Sequence, residues 1–220
     1  MDHELIKLIK KFPKKHVLVI GDIILDCFIK GISERISPEA PVPIILVRKE
    51  TFMPGGAANA ANNLATIGIK TDLMGVIGKD TPAQKLLNLL KQKKINTGLL
   101  LQGKKYPTTL KTRITVRGRH VLRVDWEKID YINKSIEEKA IKFLQKFKNQ
   151  FDAIIISDYG KGFLTENLVK AIFAAFSDKP IIVDAKPEHI NWFTNATLIA
   201  PNRKEAILMA QPFMREQNIN

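Results

Sequence analysis

The sequence predicts a three-layer α/β fold with a mostly parallel sheet and a small β lid. Three observations carry that expectation. Short apolar runs at His16–Gly21, Ala153–Ile156, Pro180–Val183 and Thr197–Ala200 read as buried parallel strands, spaced by amphipathic helical stretches. Each run leads into a polar loop, carrying Asp22, Asp158, Asp184 and Asn202 in turn. In an open α/β sheet all four then fall on the carboxyl rim, where ligands bind. Finally, Thr108–Val116 and His120–Trp126 alternate and flank Arg117-Gly118-Arg119, a hairpin signature set apart from the parallel strands.

Taken in order, residues 2–12 form an amphipathic helix closed by Pro13. The first strand follows, and Asp22 and Asp26 come just after it. Residues 33–47 hold three prolines and then a β-rich run, which excludes a helix and suits an edge strand outside the main body. Ala57 to about Ile67 is helical, with Gly68 just past its end. Thr71–Ile77 is a strand. Thr81–Lys94 is a helix capped by Asp80 or Thr81, with Leu86, Leu87, Leu89 and Leu90 turned inward. Thr97–Leu101 is a short strand, Ile136–Lys148 a helix, and Thr165–Phe176 a helix capped by Thr165. A last helix starts at Asn202.

The most informative stretch is Pro54-Gly55-Gly56-Ala57-Ala58-Asn59. Its glycines sit at a helix N-terminus, where the first backbone N–H groups lack intrahelical partners. Without a Cβ at Gly55 or Gly56, a ligand can approach the backbone. Asn59 lies in the first turn, and an amide that both donates and accepts suits a sugar hydroxyl. Two readings stand side by side: a polyol-binding floor, or an ordinary tight loop-to-helix junction.

Composition narrows the function classes. The 220 residues are 45% apolar, enough for a proper core, and carry 35 basic against 22 acidic residues, a net charge of +13. The lysines are scattered over amphipathic helices, which favours a solvated basic surface over a nucleic-acid footprint. A single cysteine, Cys27, excludes an internal disulfide and suits a reducing cytoplasm. The four histidines are isolated, so no metal cluster is visible, and no apolar run is long enough to span a membrane. Gly98 to Lys104 has P-loop spacing up to its lysine, but Lys105 follows where Ser or Thr would bind magnesium. Neither a Gly-x-Gly-x-x-Gly nor a Gly-x-Ser-x-Gly is present after a strand.

Gly21-x-x-x-x-Asp26, the Pro-Gly-Gly-x-x-Asn at 54–59 and Asn202-x-x-Glu205 together resemble the ribokinase-like carbohydrate kinases. Within that family, Arg35-Ile-Ser-Pro-Glu-Ala-Pro-Val-Pro43, Thr112-Arg113 with Arg123-x-Asp125, and Ser157-Asp-Tyr-x-Lys-Gly162 resemble the D-glycero-β-D-manno-heptose 7-phosphate kinases. That domain also occurs as the N-terminal half of a bifunctional kinase and adenylyltransferase. The resemblance runs from about Val17 to Glu205.

It implies ATP- and Mg2+-dependent phosphorylation of the sugar's anomeric hydroxyl, on the route to the lipopolysaccharide core. Asp26, Gly55, Gly56 and Asn59 would hold sugar hydroxyls. Lys111, Arg113 and Arg123, with Asp125 beside them, would face the 7-phosphate from the lid. Lys186, Asn202 and Glu205 would serve the nucleotide, Glu205 through the water shell of magnesium and with no direct metal ligand. A homodimer through the lids, at about 32–48 and 108–126, is also implied. The family's Gly-Ala-Gly-Asp loop, whose Asp is the base, is not among these residues. The expectation is therefore one incomplete kinase domain over 1–220, without a catalytic residue and inactive alone. A kinase for another phosphorylated sugar and a non-catalytic sugar-binding or assembly module are the alternatives.

Overall fold

The computed structural model describes residues 2–216. Helix α1 spans Asp2–Ile9, shorter than expected. Pro13 accounts for this: its ring has no N–H to offer Ile9, so the chain tightens into a 3-10 turn at Phe12–Lys14. Strand β1, His16–Gly21, is buried throughout. Strands β2 (Ile23–Ile36) and β3 (Pro43–Gly56) form a long antiparallel pair, and β3 leads directly into α2 (Ala57–Thr66). Then come β4 (Lys70–Ile77), α3 (Thr81–Gln92), β5 (Asn96–Gln102) and the hairpin β6 (Thr109–Val116) and β7 (Arg119–Trp126). The chain closes with α4 (Lys134–Phe147), β8 (Ala153–Ser157), α5 (Glu166–Ala175), β9 (Ile181–Asp184), β10 (Leu198–Ile199) and α6 (Arg203–Glu216). Asp80, Asn133 and Thr165 cap α3, α4 and α5 by accepting from the backbone N–H of Ala83, Ile136 and Leu168.

The main sheet is parallel, in the order β10-β9-β8-β1-β4-β5. From β1 the chain proceeds outward through β4 and β5, then returns to build β8, β9 and β10 on the other side. The topological switch point therefore lies between β1 and β8, the place where open α/β sheets bind ligands. Helices cover both faces. Leu18 and Ile20 of β1 join the cluster beneath α4 and α5, while Val19 joins the one beneath α2 and α3. This is the expected three-layer arrangement.

The lid is larger than the sequence suggested. Its four strands run β3-β2-β6-β7; the first of its two segments extends from Ile23 to Gly56 rather than covering only 32–48, while the second, Thr109–Trp126, falls where expected. Asp26 is accordingly a strand residue and not part of a loop after β1. The apolar run from Ile23 to Ile29 accepts a single Asp because alternation turns that residue toward the open face. The prolines fall where expected, at the turn 37–42 and the start of edge strand β3. At the hairpin tip, Arg117 and Gly118 both have positive φ, the two-residue turn that matches strand twist.

Candidate active site at the switch point

Period-two alternation decides what the lid presents. Register aligns Asp26 with Lys111 and Lys111 with Asp125; in the next row but one it aligns Phe28 with Arg113 and Arg113 with Arg123. All these side chains point to one face. On the other face, Leu25, Phe52 and Leu110 pack into the core with α2 and α3. Five of the residues singled out in the sequence are thus brought together. Arg113 pairs with Asp26 and lies 5.4 Å over the Phe28 ring. Lys111 reaches Asp125 at 3.0 Å, and Arg123 lies 3.0 Å from the other oxygen of the same carboxylate. Burial alone would raise the Asp125 carboxyl, but Lys111 and Arg123 outweigh it and hold it below the ordinary range.

The two glycines have distinct physical reasons. A Cβ on Gly55 would sit 2.4 Å from Asp26 Oδ2, so its missing side chain is the space the Asp26 carboxylate occupies. Gly56 has φ 56° and ψ −136°, and a Cβ there would stand 2.4 Å from the Asp22 carbonyl oxygen. That same carbonyl accepts from the Ala57 N–H at 3.0 Å. One of the helix N–H groups expected to be open is therefore already satisfied. Asn59 stands exposed in the first turn of α2.

Asp22 turns out to be a structural clamp. It is 2% exposed and accepts from the backbone N–H of Tyr159 (2.8 Å), Lys161 (3.0 Å) and Phe163 (3.2 Å). Burial pushes its carboxyl above the ordinary value, with the three N–H groups opposing. The loop after β8 is wound around this carboxylate. Asp158 ties that loop to the next one. It accepts from the Gly160 and Lys186 N–H groups and lies 2.7 Å from His189 Nδ1. His189 stacks on Trp192 at 4.0 Å.

A cleft of about 510 Å³ opens beside these loops, lined by Asp158, Tyr159, Asp184, Lys186, Ala200, Asn202 and Glu205. Asn202 and Glu205 form a reciprocal cap on α6. The Asn202 side chain accepts from the Lys204 and Glu205 N–H groups, and Glu205 Oε2 accepts from the Asn202 N–H. Glu205 Oε1 lies 3.3 Å from Lys186 Nζ. The Asn202 N–H, and behind it Lys186, hold the Glu205 carboxyl low, whereas burial and then the Glu205 charge push Asp184 up. Burial raises the Tyr159 hydroxyl as well, with further contributions from Asp184 and Asp26. Tyr159 thus lies within electrostatic reach of both the lid face and the cleft. Among the described residues, no three His, Cys, Asp or Glu side chains converge as metal ligands, and no helix is long and apolar enough to cross a membrane.

Two participants escaped the reading of the sequence. Lys161 reaches Glu127 Oε1 at 2.8 Å, and Lys111 reaches Glu127 Oε2 at 3.3 Å. Lys161 stood inside a motif already noted, but nothing local indicates that Glu127, one residue beyond the hairpin, folds back between two lysines.

Comparison with known proteins identifies the family and the fold. The model of the pfkB family carbohydrate kinases matches residues 14–217. The bifunctional protein HldE of Helicobacter acinonychis is 42% identical over 193 residues, covering 87% of this chain and 42% of that protein. HldE of Hyphomonas neptunium is 40% identical over 207 residues, 93% of this chain and 43% of that one. The chain thus spans less than half the length of these curated relatives. Among solved structures, phosphofructokinase-2 of Escherichia coli, in complex with substrates and products, superposes with a TM-score of 0.69 at 18% identity, covering 90% of this chain and 63% of that one. Arabidopsis thaliana ribokinase, complexed with ribose and ATP, gives 0.64 at 14%, with the same coverages. The fold is ribokinase-like, and with residues 14–217 of its 220 matched by the family model the chain belongs to the pfkB family of carbohydrate kinases.

Proposed function

We propose that residues 1–220 are an incomplete kinase domain, with the lid inserted, of an enzyme that phosphorylates D-glycero-β-D-manno-heptose 7-phosphate at its anomeric hydroxyl using ATP. The observation that carries this reading is the lid face. It sets Asp26 against Gly55 for hydroxyl recognition and Lys111, Arg113 and Arg123 beside it for a phosphate. Likeness to the two HldE proteins supports heptose as the sugar. Asn59, at the start of α2, completes the polyol floor.

On the nucleotide side, Lys186, Asn202 and Glu205 line a cleft of about 510 Å³. The ammonium suits a phosphate. The carboxylates of Asp184 and Glu205 suit a hydrated Mg2+, which keeps several waters and takes few protein ligands. When bound, the metal and nucleotide supply the phosphoryl group and neutralise its charge. The chain's own residues orient the acceptor and exclude water between lid and rim. The lid's outer strands expose Leu46, Val121 and Leu122, and the turn before β3 exposes Val42, apolar residues suited to a lid-to-lid homodimer. A soluble enzyme of the cytoplasm fits this chemistry.

The resemblance assigns the base to a Gly-Ala-Gly-Asp loop, so the test joins these residues to that loop from the kinase half of an HldE relative. With ATP and Mg2+, heptose 7-phosphate should drive ADP release at roughly 1–100 per second. Unphosphorylated heptose should not. Equal turnover on both sugars would refute the phosphate reading.

A further inference from the structure

Glu127 is the first residue past β7, where the lid rejoins the body. Its carboxylate is gripped from two sides: Oε1 by Lys161 of the body at 2.8 Å, Oε2 by Lys111 of the lid at 3.3 Å. All three side chains are largely shielded, with 19%, 17% and 13% exposure respectively. Burial would raise the Glu127 carboxyl, yet the two lysines reverse that and hold it low. Each lysine has a further anchor. The Lys161 N–H is fixed by Asp22 Oδ2 at 3.0 Å, and Lys111 Nζ keeps a second carboxylate, Asp125, at 3.0 Å.

We propose that Glu127 is an internal stand-in for the substrate's phosphate, bridging Lys161 and Lys111 until a phosphate displaces it. The proposal takes a phosphorylated sugar from the reading above and adds Lys161 and Glu127 to its recognition. A carboxylate that presents one oxygen to each ammonium occupies the place in which two phosphate oxygens would sit. A dianionic phosphate offers more charge and more acceptors than the carboxylate it replaces. The released Glu127 returns to water at the lid's exit, and the phosphate then joins a body lysine to a lid lysine. A sugar without phosphate has nothing to exchange for Glu127 and leaves the bridge intact. Discrimination thus arises from competition with an internal anion as well as from attraction.

The test uses the 220-residue chain with inorganic phosphate as probe, titrated calorimetrically against chloride at constant ionic strength. Glu127→Gln should bind phosphate on the order of tenfold tighter than wild type, since a competing charged hydrogen-bond acceptor is gone. Adding Lys161→Gln should abolish the gain. Phosphate binding by Glu127→Gln no tighter than wild type would overturn the proposal, as would a gain that survives Lys161→Gln. Circular dichroism checks the fold; should the Gln variant not fold, Glu127→Asp, too short to span both lysines, should show a smaller gain in the same direction. A second readout places Trp126, next to Glu127, as the sole tryptophan in a Trp192→Phe chain. Its emission should shift with phosphate, and no shift at saturation counts against displacement. A phosphate result as expected, beside no heptose phosphorylation in the kinase assay, would strike the substrate named above and not the role of Glu127.

Discussion

Replacing Asp22 with Ala should cost more stability than any other single change on the carboxyl rim. The side chain is 2% exposed and satisfies three backbone N–H groups, of Tyr159, Lys161 and Phe163. Each buried donor left without a partner costs about 1–3 kcal/mol, so the three together set a ceiling near ~9 kcal/mol. Two effects reduce it. Water entering the vacated space restores part of the bonding, and removing a buried charge relieves the desolvation that raises the Asp22 carboxyl. A loss of about 3–5 kcal/mol is expected, a large share of the roughly 5–15 kcal/mol that holds a domain together. Urea unfolding followed by circular dichroism measures it, provided the denaturant slope is unchanged. Amide exchange locates it: the Tyr159, Lys161 and Phe163 amides should lose protection before the β1 core does. Asp22→Asn keeps the shape but turns an NH2 toward one donor, and should fall between wild type and Ala. A loss below ~1 kcal/mol in Asp22→Ala, with those amides still protected, would show that the loop after β8 is held by something else.

Gly56→Ala should destabilise by about 2–3 kcal/mol, because only glycine readily adopts its φ and ψ and the new Cβ meets a backbone oxygen at 2.4 Å; a neutral effect in thermal unfolding would refute this. Gly55→Ala meets side chains and no backbone, the Asp26 carboxylate at 2.4 Å and Ile24 Cγ2 at 3.1 Å, so it should cost less stability than Gly56→Ala while weakening sugar phosphate binding by roughly five- to tenfold through loss of one hydrogen bond. Asp125, Glu127, Glu205 and Asp152, the last held by Lys15 and the His16 N–H, have folded-state carboxyls below their ordinary values, so the stability they contribute is present above the unfolded carboxylate range and is lost as pH falls through the lower folded values. Asp22 and Asp184, raised by burial, act oppositely and lose theirs as pH rises through the folded values. Unfolding measured from pH 6 downward should therefore show an acid limb that Glu127→Gln makes shallower; an unchanged limb would contradict the pairing. Leu122→Asp, on the exposed lid strand β7, should shift the protein toward monomer in light scattering, and a wild type that is monomeric at tens of micromolar would count against a lid-to-lid dimer.

The parallel body was legible because its signal is local. Buried strands such as His16–Gly21 are continuous apolar runs, and the helix caps sit where single residues announce them, as at Asp80 for α3 and Thr165 for α5. The glycine helix was equally plain, though the reason for Gly55 was not: its space belongs to Asp26, twenty-nine positions earlier in chain order and set beside it by strand pairing. The lid's extent was missed since Ile23–Lys30 reads as an apolar stretch broken by one Asp, and only register with Lys49–Gly56 shows that it is a strand. Likewise Asn202 and Glu205 were visible as a motif, while their mutual capping of α6 shows that their spacing also answers a purely structural demand. Glu127 had no sequence signal because its role comes from two lysines that approach from different elements.

The net charge of +13 is a poor guide to how the site selects its ligand. On the lid face and its exit, Lys111, Arg113, Arg123 and Lys161 are all engaged by Asp26, Asp125 or Glu127. Four cations against three carboxylates leave a local excess of one positive charge. A diffusing anion therefore meets no bare cationic patch there, and the lysines scattered over exposed helices act only through a field that salt screens within about 8–10 Å. Binding must be an exchange of internal for external acceptors. Such an exchange favours a ligand with enough oxygens, in the right places, to re-pair every cation it frees. A phosphorylated polyol meets that condition: its hydroxyls can take up Asp26 and Asn59 while its phosphate engages the basic residues. A simple anion satisfies only the second half and a neutral sugar only the first. Under the function proposed above, the specificity of this site resides in the carboxylates that keep its cations occupied.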